Sequence, residues 1–127
     1  MQMVGVDIVK TSRMLALIER FGEKGLQKFL FDQEIKEAKN HKSVAGYWAA
    51  KEAFSKAIGT GIGAQCSFKD IKIYKDLKGA PKIALSQKII QTFQITSVSL
   101  SITHDGEYAV AIVAVESSSS TDKIEQF

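Results

Sequence analysis

The stretch from Trp48 to Gly63, WAAKEAFSKAIGTGIG, restricts the fold more than any other part of this chain. Ala49, Ala50, Lys51, Glu52, Ala53, Lys56 and Ala57 are strong helix formers, and Gly59 and Gly61 mark the helix exit. At roughly 100° per residue, Gly46, Ala50, Ala53 and Ala57 fall on one narrow stripe. Residues this small predict a helix lying close against another element. Glu52 and Lys56 lie one turn apart on a different face. Ala45 and Ala49 flank them and leave room for something other than a side chain. By spacing alone, Glu52 and Lys56 are a surface pair contributing roughly 0.3 kcal/mol.

Composition bounds the class. A chain of 127 residues suits a single domain with a core of its own. Its 45% apolar and 24% charged shares are those of a soluble globular protein. Cys66 is alone, which excludes an internal disulfide and fits a reducing cytoplasm. No run approaches the ~20 apolar residues of a membrane span. The N-terminus lacks the basic-then-apolar pattern of a secretory signal. The expected location is therefore the cytoplasm, with no membrane partner. A net charge of +3 admits nucleic acid, phosphate ligands or an acidic protein, and does not choose among them.

Met3 to Val9 reads as a strand, with Val4, Val6 and Ile8 on one face and Met3, Gly5, Asp7 and Val9 on the other. Asp7 is then an acid within an apolar strand, costly to bury unless it is paired or bound to a metal. Thr11 or Ser12 can cap a helix to about Phe21, ended by Gly22. Arg13, Leu17 and Arg20 share one face of it, and these are the only two arginines in the chain. Glu23 to Gly25 reads as a loop and Leu26 to Phe31 as a short apolar turn or helix. Asp32 can cap a helix from Gln33 to about Asn40, and His41 to Ser43 read as a linker.

After the central helix, Phe68 to Tyr74 and Pro81 to Leu85 form a hairpin about Asp76-Leu77-Lys78-Gly79. Its lysines read mostly as solvated protection of a sheet edge. Ser86 caps a helix to Phe93. Val98 to Thr103 and Tyr108 to Glu116 are strands joined at Asp105-Gly106. Ser101 and Thr103 alternate to one face, so with His104 they could converge on a phosphate at the strand end. Residues 1–116 form the predicted domain. Ser117 to Phe127 is polar and serine-rich, expected to be a disordered tail.

As a string, Trp48-x-x-Lys51-Glu52-Ala53-x-x-Lys56-Ala57 resembles the signature of phosphopantetheinyl transferases. The longer AAKEAFSKA-x-GTGIG resembles their small holo-[acyl-carrier-protein] synthase branch. Gly5-Val6-Asp7-Ile8-Val9 and Ser101-Ile102-Thr103-His104 followed by Glu107-Tyr108-Ala109 match two further family segments in the right order. The resemblance implies an α+β fold, an antiparallel sheet packed with helices. It implies Mg²⁺-dependent transfer of 4′-phosphopantetheine from coenzyme A to a serine of acyl carrier protein, in support of fatty acid biosynthesis. It also implies a homotrimer with active sites at subunit interfaces.

Carried onto this chain, the resemblance makes Asp7 and Glu52 the metal ligands and, with Lys56, the catalytic set. Coenzyme A would meet Lys51, Ser55, Gly59, Thr60, Gly61, Gly79, Pro81, Ser101, Thr103 and His104. Arg13, Leu17 and Arg20 would dock the carrier protein. Three departures stand out. Tyr47 replaces a frequent arginine, Ala80 replaces the lysine of a Gly-Lys-Pro turn, and of Thr-Pro-x-Glu only Glu34 remains. The alternatives are a non-catalytic basic module binding nucleic acid through the Lys69–Lys82 hairpin, and a degenerate relative that holds coenzyme A without turnover. The first lacks a recognition motif and leaves Asp7 and Glu52 unexplained. The intact acidic pair argues against the second.

Overall fold

The central helix begins earlier than its composition suggests, because Asn40 caps it: the Asn40 side chain accepts from the amides of Lys42 and Ser43. The computed structural model describes residues 2–119 and 125–126. In chain order the elements are β1 (Gln2–Lys10), α1 (Thr11–Gln27), α2 (Asp32–Glu37), α3 (His41–Ala57), a 3-10 turn (Phe68–Asp70), β2 (Ile71–Lys75), β3 (Pro81–Leu85), α4 (Gln87–Phe93), β4 (Ile95–Asp105) and β5 (Tyr108–Ser117). The α+β expectation holds. An antiparallel sheet in the order β1-β5-β4 carries α3 on one face, and β2-β3 is a separate hairpin. Among the described residues no helix is long and apolar enough to cross a membrane.

Small residues set how close α3 lies to the sheet. Ala50 and Ala53 are fully buried and Ala57 nearly so. Opposite them, a Cβ on Gly5 would overlap the Ala53 carbonyl and stand 2.6 Å from the Ala57 amide, so β1 can lie here only without a side chain at that position. Nearer the start of the helix, Gly46 packs on β4, where a Cβ would stand 3.2 Å from Ile102. The small-residue stripe thus does what its sequence implies. Ala45 and Ala49 do not: both are completely buried, so no open space lies beside them. The helix is surrounded on more sides than one apolar stripe would require.

Several boundaries move. Lys10, not Thr11 or Ser12, stands at the start of α1, and the Thr11 amide donates to the Glu107 carbonyl of the β4–β5 turn at 2.7 Å. Tertiary contact replaces the side-chain cap. Gly22, at φ 61°, breaks α1 where the sequence reading ends it, but the chain resumes as helix over Glu23 to Gln27 instead of a loop. Helix α2 stops at Glu37, and His41 to Ser43 belong to α3 rather than to a linker. Phe68 to Asp70 turn before the strand, because the Asp70 carboxylate accepts from the Ser67 amide. Ser86 caps α4 as expected.

At the other end, β5 extends to Ser117, which is buried and donates to the Phe93 carbonyl at 2.6 Å. Ser117 therefore belongs to the sheet, not to the tail. The expected disorder of the last residues concerns mainly residues outside the described ones.

Candidate active site

Asp7 stands on the inner face of β1, opposite Ala111 of β5, and turns toward α3. Strand alternation put it there with Gly5 and Val9, both buried. Lys56 reaches it from the last turn of α3: its Nζ donates to Asp7 Oδ1 at 2.8 Å and to the Val6 carbonyl at 3.4 Å. The Lys56 side chain is 52% exposed and that of Asp7 14%, so the pair opens to solvent on the lysine side. Glu52, one turn earlier on α3, is half-buried. Burial and the Asp7 charge push its carboxyl above the ordinary range, opposed by Lys56 and Arg13. The Asp7 hydrogen bond holds Lys56 above its ordinary value against the opposing cost of burial, with the Asp7 and Glu52 charges adding to the rise.

Asp7, Glu52, Lys56 and Arg13 thus share one electrostatic site, brought from β1, α3 and α1. Two like-charged carboxylates in mutual repulsion are a donor set that a hard divalent cation would relieve. Among the described residues no group of three or more His, Cys, Asp or Glu could hold a metal, so a cation here would rest on these two carboxylates and take water or substrate oxygens besides.

Lys51 does not face this site. It is fully buried, and its Nζ donates to the Phe29 carbonyl at 2.7 Å, Glu34 Oε1 at 2.9 Å and the Phe68 carbonyl at 3.2 Å. Three donors meet three acceptors, leaving none for coenzyme A. Glu34, equally buried, also accepts from the amides of Phe31 and Ile73, at 2.7 and 2.8 Å. The pair therefore ties α3, α2, β2 and the loop after α1 together. Ser55 is likewise buried, and its hydroxyl donates to the Glu52 carbonyl at 2.7 Å.

Past the helix end, the Ser55 carbonyl accepts from the amides of Thr60 and Gly61, both at 3.1 Å. Gly59 and Gly61 take φ of 83° and 64°, a region side chains disfavour, to bring the chain round. The Thr60 hydroxyl donates to the Gly61 carbonyl. The loop is thereby shaped at the same end of α3 as Lys56.

A cleft lies farther toward the start of α3, lined by Ser43, Gly46, Tyr47, Lys75, Pro81, Ile102 and His104. His104 Nε2 lies 2.9 Å from the Lys42 carbonyl. A carbonyl can only accept, so Nε2 carries the hydrogen and Nδ1 faces away from that bond. Gly46 makes room for the ring: a Cβ there would stand 3.4 Å from it. The Tyr47 hydroxyl is buried without a partner among the described residues, and its pKa is raised by burial and by the charges of Glu37 and Glu34. Gly79 turns the β2–β3 hairpin with φ 86°.

Ser101 and Thr103 do not join His104. They face outward with Ile112 and Val110, their register partners on β5, while His104 turns inward opposite buried Ala109. Adjacent residues on a strand point to opposite faces, so the expected convergence fails within one chain. Sequence reasoning missed the cleft roles of Lys75 and Ser43 and the electrostatic place of Arg13 beside Glu52. It also missed the Lys51–Glu34 pair, for which the Glu34 match was the only signal. On α1, Arg13 lies 5.7 Å over the Trp48 ring and Arg20 5.1 Å over Phe21, both exposed, with Leu17 half-buried between them.

A family profile, the 4′-phosphopantetheinyl transferase superfamily, matches residues 3–113. The holo-[acyl-carrier-protein] synthase of Sulfurimonas denitrificans is 61% identical over 115 residues, covering 91% of this chain and 95% of that one. That of Campylobacter fetus is 54% identical over 114 residues, covering 90% and 99%. The crystal structure of Helicobacter pylori holo-[acyl-carrier-protein] synthase in complex with coenzyme A superposes with a TM-score of 0.87 at 45% identity, covering 90% of this chain and all of that one. Profile, relatives and fold coincide over the same nine-tenths of the sequence, and the chain belongs to the holo-[acyl-carrier-protein] synthases of the 4′-phosphopantetheinyl transferase superfamily.

Proposed function

We infer that this chain carries out its family's reaction, moving 4′-phosphopantetheine from coenzyme A to a serine of apo-acyl carrier protein, at the site formed by Asp7, Glu52 and Lys56. The observation that carries the assignment is the meeting of Lys56 and Asp7 at 2.8 Å, with Glu52 electrostatically coupled to both. The serine oxygen attacks the coenzyme A phosphorus bearing the pantetheine arm, and adenosine 3′,5′-bisphosphate leaves. In such a transfer the protein's work is positioning and charge stabilisation. Lys56 is exposed enough to place its charge against the pyrophosphate oxygens while one hydrogen stays on Asp7. Asp7 and Glu52 fit Mg²⁺, which when bound would neutralise charge on those oxygens. His104 and Pro81 border the cleft that suits the nucleotide end, Gly79 lies in the turn two residues before Pro81, and the Gly59–Thr60–Gly61 loop shapes the end of the helix that carries Lys56. The cytoplasm, where coenzyme A and carrier proteins meet, is the location we assign.

A homotrimer with sites at the subunit interfaces fits the outer face of the sheet. Val4, Val6, Ile8 and Ile112 are 64%, 53%, 60% and 49% exposed, an apolar face left to water in a single chain. Ser101 and Thr103 lie on that same face, so a neighbouring subunit would put them within reach of a second site. The function is tested by mass spectrometry of apo-acyl carrier protein incubated with coenzyme A, magnesium and this protein. The wild type should add one phosphopantetheine, and Asp7→Ala and Glu52→Gln should lose most of that transfer with their fold intact. Full activity in either variant would remove Asp7 and Glu52 from the mechanism.

A further inference from the structure

Phe31, in the link between α1 and α2, has three ammonium groups around its ring. Lys69 Nζ lies 4.8 Å from the ring centroid, Lys51 Nζ 5.2 Å and Lys72 Nζ 5.8 Å. Glu34 answers the charge of Lys51. Among the described residues no acid lies within ion-pair distance of Lys69 or Lys72. Lys69 gives one hydrogen to the Leu30 carbonyl and keeps two donors. The acid nearest in sequence, Asp70, is engaged elsewhere: it accepts from Ser67 and Ser86, and its ion-pair partner is Lys88 at 3.7 Å. Like charges gathered this way repel, and Lys69 is one of the charges that lower Lys51. A ring can hold cations beside it, but it does not neutralise them.

Half-buried Trp48 and Phe68 connect the arginine face of α1 to the segment that carries Lys69. The Phe29 ring touches Trp48 at 5.0 Å and Phe68 at 5.7 Å, and Trp48 touches Phe68 at 4.8 Å. Arg13 lies over Trp48 in this cluster, and Lys69 is the residue after Phe68 in the chain. We propose that Phe31, Lys69 and Lys72 form a second contact for acyl carrier protein, taking an acidic segment of it while Arg13 and Arg20 take another. The proposal rests on the carrier-protein reading above. Acidic side chains suit the patch better than nucleic acid, because cations already crowd the Phe31 ring where bases would have to stack.

The test measures binding of labelled apo-acyl carrier protein to the full chain by fluorescence anisotropy, at low and at physiological salt. Lys72→Glu is the primary variant, since among the described residues the Lys72 side chain makes no hydrogen bond, and its backbone pairing with β3 is kept. Lys69→Gln with Lys72→Gln is the second, checked for an unchanged melting temperature because of the Leu30 contact. Both should weaken carrier binding about fivefold and flatten its salt dependence, with coenzyme A affinity unchanged. If Lys72→Glu binds carrier as the wild type does while Arg13→Glu with Arg20→Glu binds weakly, the second contact is overturned and the docking face on α1 stands. If none of these variants changes carrier binding, the carrier-docking reading falls and takes the second contact with it. A single-stranded oligonucleotide that binds the wild type, loses affinity in Lys72→Glu and leaves carrier binding untouched would also overturn the proposal.

Discussion

Two of the lysines of helix α3, Lys51 and Lys56, lie five positions apart, each paired with an acid from another element, and the pairs do opposite work. Lys51 and Glu34 meet at 2.9 Å with both side chains fully buried, and every donor of the ammonium is taken. Lys56 and Asp7 meet at 2.8 Å with the lysine side chain 52% exposed. Lengths this similar show that the difference lies in the surroundings. The first pair is closed by backbone carbonyls and amides and fastens four segments together. The second opens to solvent beside Glu52 and can exchange partners. A charge pair is structural when its remaining hydrogen bonds are satisfied within the fold, and is available for chemistry when they are not.

The largest expected effect tests the closed pair. Lys51→Met would leave Glu34 as an uncompensated buried charge, at a cost of about 3–5 kcal/mol in denaturant unfolding. Adding Glu34→Leu should recover a substantial part of that loss, because the stranded charge goes with it. A Lys51→Met protein of wild-type stability with weakened coenzyme A affinity would return Lys51 to the ligand-binding set and erase the contrast. Next comes the open pair. Lys56→Met removes the charge and keeps much of the aliphatic stem. As a catalytic cation, Lys56 is worth roughly 3 kcal/mol in the transition state, or about a hundredfold in turnover, with a melting temperature close to wild type. As an exposed ion pair it would contribute only ~0–1 kcal/mol, all to stability. Unchanged turnover would make both pairs structural.

The two pairs were not equally legible in the sequence. Asp7 stood out because it interrupts an apolar strand, and alternation alone put it on the face of Gly5 and Val9 that meets α3. The partner of Lys51 could not be read, because Glu34 lies on another helix and only tertiary packing brings them together. The family signature contains both lysines and does not separate a structural from a catalytic one. Periodicity placed Val4, Val6 and Ile8 on one face but could not say that this apolar face is the one away from α3. The error over Ser101, Thr103 and His104 was different in kind: alternation already forbade adjacent Thr103 and His104 from sharing a face. Asn40 reads from sequence as the end of α2, and only the stop of that helix at Glu37 frees it to cap α3.

A smaller effect separates the α3 site from the face beside it. Arg13 lies over Trp48 and also lowers the Glu52 pKa, whereas Arg20 lies over Phe21. Arg13→Glu with Arg20→Glu should weaken carrier-protein binding about tenfold, less at high salt, since exposed charges are screened over ~8 Å at physiological ionic strength. Arg13→Glu alone should also raise the Glu52 pKa further, measurable by carboxylate NMR, and Arg20→Glu alone should not. Equal shifts from both arginines would mean that the face and the site are not electrostatically distinct.

The smallest effect is in the pH dependence of stability, where the two lysines carry opposite signs. Burial lowers Lys51 to about 8 from 10.5, despite the opposing pull of Glu34. Between those values the unfolded chain holds a proton at this position that the folded chain has released. Unfolding therefore takes up a proton, and the contribution of Lys51 to stability rises with pH, by roughly 1 kcal/mol from pH 8 to 9. Lys56 is raised, so its contribution is fully present below 10.5 and is lost only as pH climbs through its higher folded value. Urea unfolding from pH 7.5 to 10 should therefore show the gap between wild type and Lys51→Met widening with pH. The gap for Lys56→Met should stay flat until the top of that range. A Lys51 gap that narrows above pH 8 would mean that Glu34 holds the ammonium charged more firmly than burial opposes it, and the closed pair would then titrate in the same direction as the open one.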